Sequence, residues 1–283
     1  MAMIRIRAVT NRCVVILTKV NNGKVSSMYS LPHIDMRNTV SDTEWQARID
    51  LAAAYRLIVM HGWDDLIYTH VSARIPGTED LLINPFGLRF DEVTASNLVK
   101  INIEGRKLDT DFPFDINHAG FTIHSAVHAA RPDDQCAFHL HHPDLIAVAS
   151  FKKGLLPLSQ YSAFALASIA YHDYEGLAVN PDEITRLQED LGDANFFLLR
   201  NHGALTMGKT IGDAFMHMYD LIKACEVQVS LQHRTDDVIN VPQSVIDGIK
   251  AQAGVVHTGL TGGQKAWPAM LRKVKQYYPE FDQ

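Results

Sequence analysis

The sequence predicts an α/β domain in which a sheet is covered by helices on both faces. Strand-like and helix-like segments alternate through the middle of the chain, which is the pattern of layered α/β folds. The composition is that of an ordinary globular protein, with 47% hydrophobic and 20% charged residues among 283. No Pro/Gly/Ser-rich linker divides the middle. We therefore expect an N-terminal extension at 1–40, a central domain at 41–234, and a C-terminal linker with a docked helical tail at 235–283.

The first part of the chain indicates a small hairpin followed by a capped helix. Strand candidates at 4–9 and 14–20 precede a turn at 21–23, and a disordered leader is the alternative. Ser41 and Glu44 then form the pattern of a capping box, and Gly62 is a natural residue to end the helix. Next we expect two strands, a short helix and a further strand, at 66–75, 81–86, 94–100 and 101–105.

The second part continues the alternation. His124 and His128, in a predicted helix at 118–130, lie four residues apart and share a face. That spacing suits a metal, but the glutamate of an HExxH site is absent, so a packing or interface role is favoured. The remaining elements are a strand at 136–142, helices at 143–150 and 181–192, a strand at 195–200, a helix at 211–232, a Gly-rich run at 257–264 and a helix at 265–278.

Charge and cysteine usage limit the kinds of partner and compartment. The net charge of −6 disfavours nucleic acid or an anionic membrane as a partner and leaves a small molecule. Cys13, Cys136 and Cys225 have no CxxC spacing, which indicates a reducing compartment. No apolar run approaches the roughly 18 residues of a membrane helix, and no signal-peptide pattern opens the chain. We expect a cytoplasmic protein.

Three histidines point to a metal centre. His139 and His141 end an apolar run in QCAFHLHHP, and His202 ends a second apolar run in FFLLRNHG. Residues i and i+2 of a strand point to the same side, so the first two imidazoles can converge, joined by the third if the two runs are neighbours. Three imidazoles with an open position are typical of a catalytic zinc site. A satisfied pair without metal is the alternative, since the chain has 14 histidines.

The segments around these histidines resemble the class II aldolase/adducin family. The likeness lies in ARPD before the His-x-His, in YHDYEG, and in RNHG before a long helix, and it extends from about Ser41 to Gln232. It is strongest to adducin head domains and their bacterial relatives. The resemblance implies a three-layer α/β/α fold with a central mixed, largely antiparallel sheet, and a homotetramer.

The resemblance also implies one divalent metal ion held by His139, His141 and His202. We expect zinc, with iron and manganese as alternatives. Hydrogen-bond partners should hold the ring nitrogens that face away from the metal; Asn201, Asp144 and backbone carbonyls are the candidates.

The chain departs from the aldolase pattern one helix earlier. The acid/base glutamate of the aldolases falls on Gly120, and the two serines that help hold the substrate phosphate fall on His118 and Ala119. An asparagine of the family's Gly-Asn-hydrophobic-Ser loop is replaced by His70. We expect His70, His118 and Gly120 to line the substrate site, the glycine leaving space for water or a substrate carboxylate, and one of the two histidines to serve as a base.

Further candidates follow from the same alignment. Tyr161 falls on a tyrosine that a neighbouring subunit donates in some aldolases to protonate the leaving fragment; a packed aromatic is the alternative. Asn84 and Gly87, in INPFG, replace a Thr-Pro-Ser-Gly-like loop that faces the substrate.

Three readings of function stay open. The first is a metal-dependent lyase or decarboxylase acting on a small carboxylated or carbonyl substrate, with a His-only ferrous oxygenase as a variant ranked lower because the familiar facial triad needs a carboxylate. The second is a non-catalytic, adducin-like oligomeric interaction module. The third is an unrelated α/β protein with satisfied core histidines.

Overall fold

A computed structural model describes residues 31–283 apart from 33, 110–111, 178–181 and 235–236, together with positions 20–21 and 24–25. Residues up to Ile34 form one compact unit and residues from Asp35 another. In the first unit, β1 (Val20–Asn21) and β2 (Lys24–Val25) pair antiparallel. The strand candidates at 4–9 and 14–19 lie outside the described residues, so the N-terminal hairpin stays a prediction.

The second unit is built on a seven-stranded sheet with the strand order β5-β4-β3-β6-β9-β8-β7. Neighbouring strands are antiparallel except for β7 and β8, which are parallel. The prediction of a mixed, largely antiparallel sheet is therefore confirmed. Its strands are β3 (His70–Arg74), β4 (Leu81–Ile83), β5 (Val99–Ile101), β6 (Cys136–Leu140), β7 (Ile169–His172), β8 (Phe196–Leu199) and β9 (Gly203–Gly208).

Helices cover both faces of this sheet. They are α1 (Asp42–His61), α2 (His118–Ala130), α3 (Pro143–Ser150), α4 (Gln160–Leu166), α5 (Glu183–Leu191), α6 (Ile211–Leu231), α7 (Gln243–Val256) and α8 (Gly262–Tyr277). Alternate residues of one strand face opposite sides. Phe138 of β6 packs in one core with residues of α1, α3 and α6, whereas Ala137 packs in a second core with residues of α2 and α5. The three-layer prediction is confirmed.

The first helix of the domain begins with half of the predicted capping box. The Ser41 side chain accepts the Glu44 backbone N–H at 3.1 Å, and Gly62 ends the helix at φ 68°. The Glu44 carboxylate does not return to the N-cap. It is buried and accepts hydrogen bonds from Arg48 and Lys100, each at 2.9 Å. A buried carboxylate beside two cations gains more from these charged partners than from a backbone N–H.

The predicted helix at 94–100 is wrong. The described chain has a short 3₁₀ helix at Phe90–Glu92 and a turn, and β5 begins at Val99. The Asn97 side chain explains the turn, because it accepts the Thr94 N–H at 2.9 Å and donates to the Glu92 carbonyl at 2.8 Å. Such local side-chain bonds compete with helix formation. Four elements, α4, α7, β7 and β9, were not predicted.

The C-terminal helix α8 packs against α1 and α6. Trp267 contributes both an apolar and a polar contact, since its ring lies 6.0 Å from that of Phe215 and its Nε1–H donates to Asp50 at 3.0 Å. A Cβ at Gly212 would lie 2.9 Å from the Trp267 Cβ, so the glycine permits this close approach. Among the described residues, no helix has the length and apolar character that crossing a bilayer requires.

Candidate metal centre

The three predicted metal histidines meet at one end of β6 and β9. His139 is the penultimate residue of β6 and His141 follows the strand. His202 lies in the three-residue loop 200–202 between β8 and β9, where Asn201 takes the left-handed conformation (φ 58°) that asparagine tolerates. The two apolar runs are not neighbours as expected, because β9 lies between β6 and β8. His202 reaches the site because its loop turns back towards β6.

The ring nitrogens of these residues, the metal triad, converge closely. His141 Nε2 lies 3.0 Å from His139 Nε2 and 3.0 Å from His202 Nε2. One nitrogen from each ring lies within 4.8 Å of the others. The prediction that the three imidazoles come together is geometrically satisfied.

In two rings of the triad, the hydrogen bond made by Nδ1 shows whether the converging Nε2 atom carries a hydrogen. His139 Nδ1 donates to the Ala204 carbonyl at 3.2 Å, and His141 Nδ1 donates to the Asp65 carboxylate at 3.1 Å. A neutral imidazole has one N–H, so both Nε2 atoms are lone pairs. Lone pairs 3.0 Å apart repel unless a cation or a proton lies between them. The donor set therefore fits a divalent ion with nitrogen ligands.

Burial keeps two rings of the triad, those of His139 and His202, in the neutral form that binds metal. Burial lowers the pKa of His139 well below its usual value, and neighbouring histidines lower it further. Burial and the nearby His141 lower the pKa of His202 to about 4. At neutral pH these rings therefore carry no proton that a metal ion must displace.

The ring-holding partners differ from those expected. Of the candidates, only a backbone carbonyl is found in this role. Asn201 donates to the Ser150 hydroxyl at 3.1 Å instead, and the Asp144 N–H donates to His142 at 3.2 Å. Asp65 was missed because it lies 76 residues before His141 and no local motif marks it.

His70 stands next to the triad and fills the space beside Gly120. The register of β3 against β6 pairs His70 with His139, and their ring centroids are 5.1 Å apart. A Cβ at position 120 would overlap the Nε2 atom of His70. The expectation that the glycine leaves room for water or a substrate carboxylate is therefore wrong. An imidazole from the neighbouring strand occupies that room.

Behind His70 lies a row of hydrogen-bonded side chains, which we call the buried histidine chain. His70 Nδ1 lies 2.7 Å from His124 Nε2, and His124 Nδ1 lies 2.5 Å from the Ser72 hydroxyl. The same hydroxyl lies 2.7 Å from His128 Nε2. All four residues are buried. The i, i+4 histidines of α2 thus pack through a serine of β3, in line with the favoured packing role.

Thr69, immediately before His70, has an unfavourable backbone conformation and an unsatisfied hydroxyl. It has φ 66°, which is a genuine outlier for a β-branched residue. Its hydroxyl is buried and has no hydrogen-bond partner among the described residues. Strain of this kind persists only where the surroundings enforce it, and it concentrates at functional sites.

The other predicted substrate residues lie around the start of α2. His118 is exposed and lies 3.4 Å from Asp115. The loop that carries Asn84 and Gly87 is joined to the same segment, because the Phe86 N–H donates to the Asp115 carbonyl at 2.8 Å. The Asn84 side chain is buried and accepts from the Tyr55 hydroxyl at 2.9 Å. Its role towards a substrate stays a prediction.

Two exposed tyrosines differ in their relation to the triad. Tyr161 is 37% exposed on α4, with its ring 6.3 Å from Tyr219, and the described residues show no contact between it and the triad of the same chain. Tyr174, from the YHDYEG motif, is exposed and its ring lies 6.2 Å from that of His202. The motif is visible in the sequence, but only the fold places this tyrosine beside a histidine of the triad.

Comparisons with known sequences agree with the geometry. The model of the class II aldolase and adducin N-terminal domain matches residues 49–229. A candidate class 2 aldolase of Pseudomonas aeruginosa is 53% identical over 262 residues, covering 92% of this chain and 100% of that protein. Alpha-adducin of Mus musculus is 45% identical over 185 residues, which is 64% of this chain but only 25% of the adducin.

Two solved structures with more than 25% sequence identity share the fold. An aldolase II superfamily protein from Pseudomonas syringae has a TM-score of 0.81 and 43% identity, over 87% of this chain and 99% of that one. An L-fuculose 1-phosphate aldolase from Glaciozyma antarctica PI12 has a TM-score of 0.70 and 26% identity, over 85% and 92% of the two chains.

Proposed function

The chain belongs to the class II aldolase and adducin family, and from that premise we propose that it is a metal-dependent lyase or decarboxylase. Its substrate is a small carboxylated or carbonyl compound. The observation that carries this proposal is the convergence of three imidazole nitrogens within 4.8 Å of one another, two of them fixed as lone pairs by their partners. An interaction module has no need of such a donor set.

Each residue of the centre has a distinct task in this proposal. His139, His141 and His202 hold the ion, zinc in the first place and iron or manganese as alternatives. The bound ion supplies Lewis acidity, which stabilises negative charge that grows on a substrate oxygen. Burial of His139 excludes water from the inner side of the centre. Tyr161, reaching the centre of a neighbouring subunit, donates a proton to the departing fragment.

The substrate side of the centre is formed by His70, His118 and the loop of Asn84 and Gly87. By the family alignment, Gly120 stands in place of the aldolase glutamate, and His70 occupies the room beside it. The phosphate-holding serines are replaced as well. We therefore propose that the substrate is not a sugar phosphate, although one structural relative is a fuculose phosphate aldolase.

The assembly we propose is a homotetramer in the cytoplasm, with the centre near a subunit boundary. The exposed position of Tyr161, away from the triad of its own chain, supports a role across such a boundary. Light scattering tests this, since a monomer with the chain mass of 31.6 kDa at micromolar concentration would contradict it.

A second candidate function is an adducin-like interaction module with a structural metal. It is favoured by the identity of 45% to alpha-adducin, although the chain spans only a quarter of that protein. A ferrous oxygenase ranks below both, because Asp65, a carboxylate in contact with the triad, binds the far nitrogen of His141 and not the metal side.

The deciding experiment compares metal, ligand and turnover on one preparation. We expect about one divalent ion per chain after dialysis, since three neutral nitrogen ligands form an open catalytic site. A panel of small hydroxy and keto acids should raise the melting temperature of the zinc-loaded protein, because a ligand stabilises by mass action.

With zinc, manganese or anaerobic ferrous ion, cleavage of fuculose and ribulose phosphates should be slower than in an aldolase by about 10²–10⁴. Robust metal-dependent cleavage would contradict the substrate assignment, and a chain without metal would contradict the function.

A further inference from the structure

An open cavity of about 560 Å³ lies beside the metal triad, where three loops meet. Its lining consists of residues 150–152 at the end of α3, 173–174 after β7, and 200–201 between β8 and β9. Asn201 precedes His202 in the chain, and the Tyr174 ring lies 6.2 Å from the His202 ring. The volume is typical of small-molecule sites. The residues assigned above to the metal or the substrate do not line this cavity, so it is a separate feature.

Arg200 is a half-buried cation that lines this cavity and is already held in place. Its Nη1 donates to the carbonyls of Ala149 at 3.1 Å and Phe151 at 2.6 Å, and its guanidinium lies 4.3 Å from the centre of the Tyr171 ring. Its Nε and Nη2 groups donate to no described residue, and no described carboxylate lies within 4.0 Å of it. Those two groups are the side of a guanidinium that can bind a carboxylate through two parallel hydrogen bonds. Because the side chain is pre-ordered, a ligand that uses them costs little rotamer entropy.

A second cation and two aromatic rings complete the lining. The Lys152 ammonium, like the open side of Arg200, has no hydrogen-bond or carboxylate partner among the described residues. Phe151 and Tyr174 line the cavity and are 40% and 52% exposed. Asp173 is the one acidic residue in the described lining, so two cations face one carboxylate and the net charge is positive. Cations beside exposed aromatic rings suit an acid with a flat, apolar body.

We propose that this cavity binds a small organic acid, with the carboxylate on Arg200 and Lys152 and the apolar body against Phe151 and Tyr174. An inorganic anion would use the cations alone, whereas the exposed rings favour a molecule that also has apolar surface. The site goes beyond the proposed function and does not depend on it, because none of its contacts comes from the triad. It shares the 200–202 loop with His202, so a bound acid lies next to the metal centre.

Benzoate and benzamide are the probes, because they have nearly the same shape and differ in charge. Calorimetry on the intact chain, before and after metal is removed with a chelator, should show benzoate binding about tenfold more tightly than benzamide, since charge-assisted hydrogen bonds are added. Acetate, which lacks the ring, should bind more weakly than benzoate. Equal affinities for benzoate and benzamide, no binding of benzoate, or acetate binding as tightly as benzoate would overturn the proposal.

Two neighbouring lysines give a matched pair of variants. Lys152→Gln should weaken benzoate binding about fivefold, the effect of one exposed charge pair, and leave benzamide unchanged. Lys153→Gln changes the same charge on the next residue, which does not line this cavity, and should leave both affinities unchanged. An equal loss of benzoate affinity in the two variants would show a diffuse surface charge and overturn the proposal.

Arg200→Gln should remove the preference for benzoate over benzamide, and a preference that survives in the folded variant would overturn the proposal. Because Arg200 also binds two carbonyls at the end of α3, a melting curve checks that this variant folds, and the lysine pair decides if it does not. The outcome is separate from that of the metal centre. A chain that binds no metal but shows the benzoate pattern fails the proposed function and keeps this site; a metal-bound chain that does not bind benzoate does the reverse.

Discussion

Two groups of three histidines lie side by side at β3 and β6, and they satisfy their nitrogens in opposite ways. In the metal triad, the Nε2 atoms of His139 and His141 are both fixed as lone pairs and meet at 3.0 Å with no hydrogen to share. In the buried histidine chain, a serine hydroxyl between His124 and His128 supplies the missing hydrogen. Hydrogen bonds therefore link the rings of the buried histidine chain, whereas the converging nitrogens of the triad fit a cation. Residue type alone does not distinguish a metal site from a packed polar network; the partners of each nitrogen do.

The largest effect should come from removing triad ligands. His139→Ala combined with His202→Ala leaves one of three nitrogens, and we expect bound metal to fall from about one ion per chain to none after dialysis. Elemental analysis measures this directly. His128→Asn, which removes a histidine of the buried chain, should keep the ion. Metal at full stoichiometry in the double variant would show that the two groups have been assigned the wrong way round.

A smaller loss is expected at the partner of His141. Asp65→Asn keeps the size of the side chain but removes the charge that orients the His141 ring. Loss of a partner that orients a metal ligand weakens metal binding about 10–100-fold. Competition with a chelator gives the affinity. Asp64→Asn changes the same charge on the adjacent, exposed residue and should have little effect; equal affinities for the two variants would mean that Asp65 does not support the centre.

The sequence predicted the members of the metal triad better than the contacts of the buried histidine chain, and the reason is physical. His139 and His141 are close along one strand, and RNHG is a recognisable motif, so local spacing and resemblance sufficed. The chain depends on the register of β3 against β6 and on how α2 docks on that sheet. No local pattern gives either quantity. The same limit applies to Asp65, and to Gly120, whose missing side chain suggested empty space until the neighbouring strand was in place.

Predictions of the fold also succeeded for local features and failed for long-range ones. Elements with caps or strong periodicity were predicted well, and α2 and α3 begin and end at the expected residues. The order of strands was not predictable from spacing. The insertion of β9 between β6 and β8 reverses the simple expectation that two similar apolar runs pair. Asn97 likewise replaced a helix by a turn through side-chain bonds that propensity does not describe.

The free energy of unfolding should depend on pH because His128, in the buried histidine chain, is held neutral in the folded protein. Burial lowers the pKa of His128 to about 3 from the usual 6.5 of the unfolded chain. The unfolded state therefore binds the extra proton first, and this contribution to stability is complete above pH 6.5 and is lost as pH falls towards 3. We expect His128→Gln to be less stable at neutral pH, with a dependence on pH shallower by about 1.4 kcal/mol per pH unit in that window.

Urea unfolding of the metal-free protein at several pH values gives this slope. His118→Gln is the matched control, because His118 lies on the first turn of the same helix but is exposed. Its slope should equal that of the wild type. If His128→Gln keeps the wild-type slope as well, His128 is not held as a neutral buried ring.

The smallest effect is an increase in stability, and it concerns the residue before His70. Thr69→Gly removes a β-branched side chain from φ 66° together with a buried hydroxyl that has no partner among the described residues. Relief of this strain should outweigh the greater freedom of glycine when unfolded by about 1 kcal/mol, which raises the melting temperature by about 2–4 °C.

Thr258→Gly is the matched control. Thr258 has nearly the same backbone conformation, φ 56°, but is exposed in the loop after α7. Its replacement should also stabilise the fold, by relief of backbone strain alone. If Thr69→Gly destabilises the protein while Thr258→Gly stabilises it, then Thr69 is not a strained residue and its conformation needs no functional explanation.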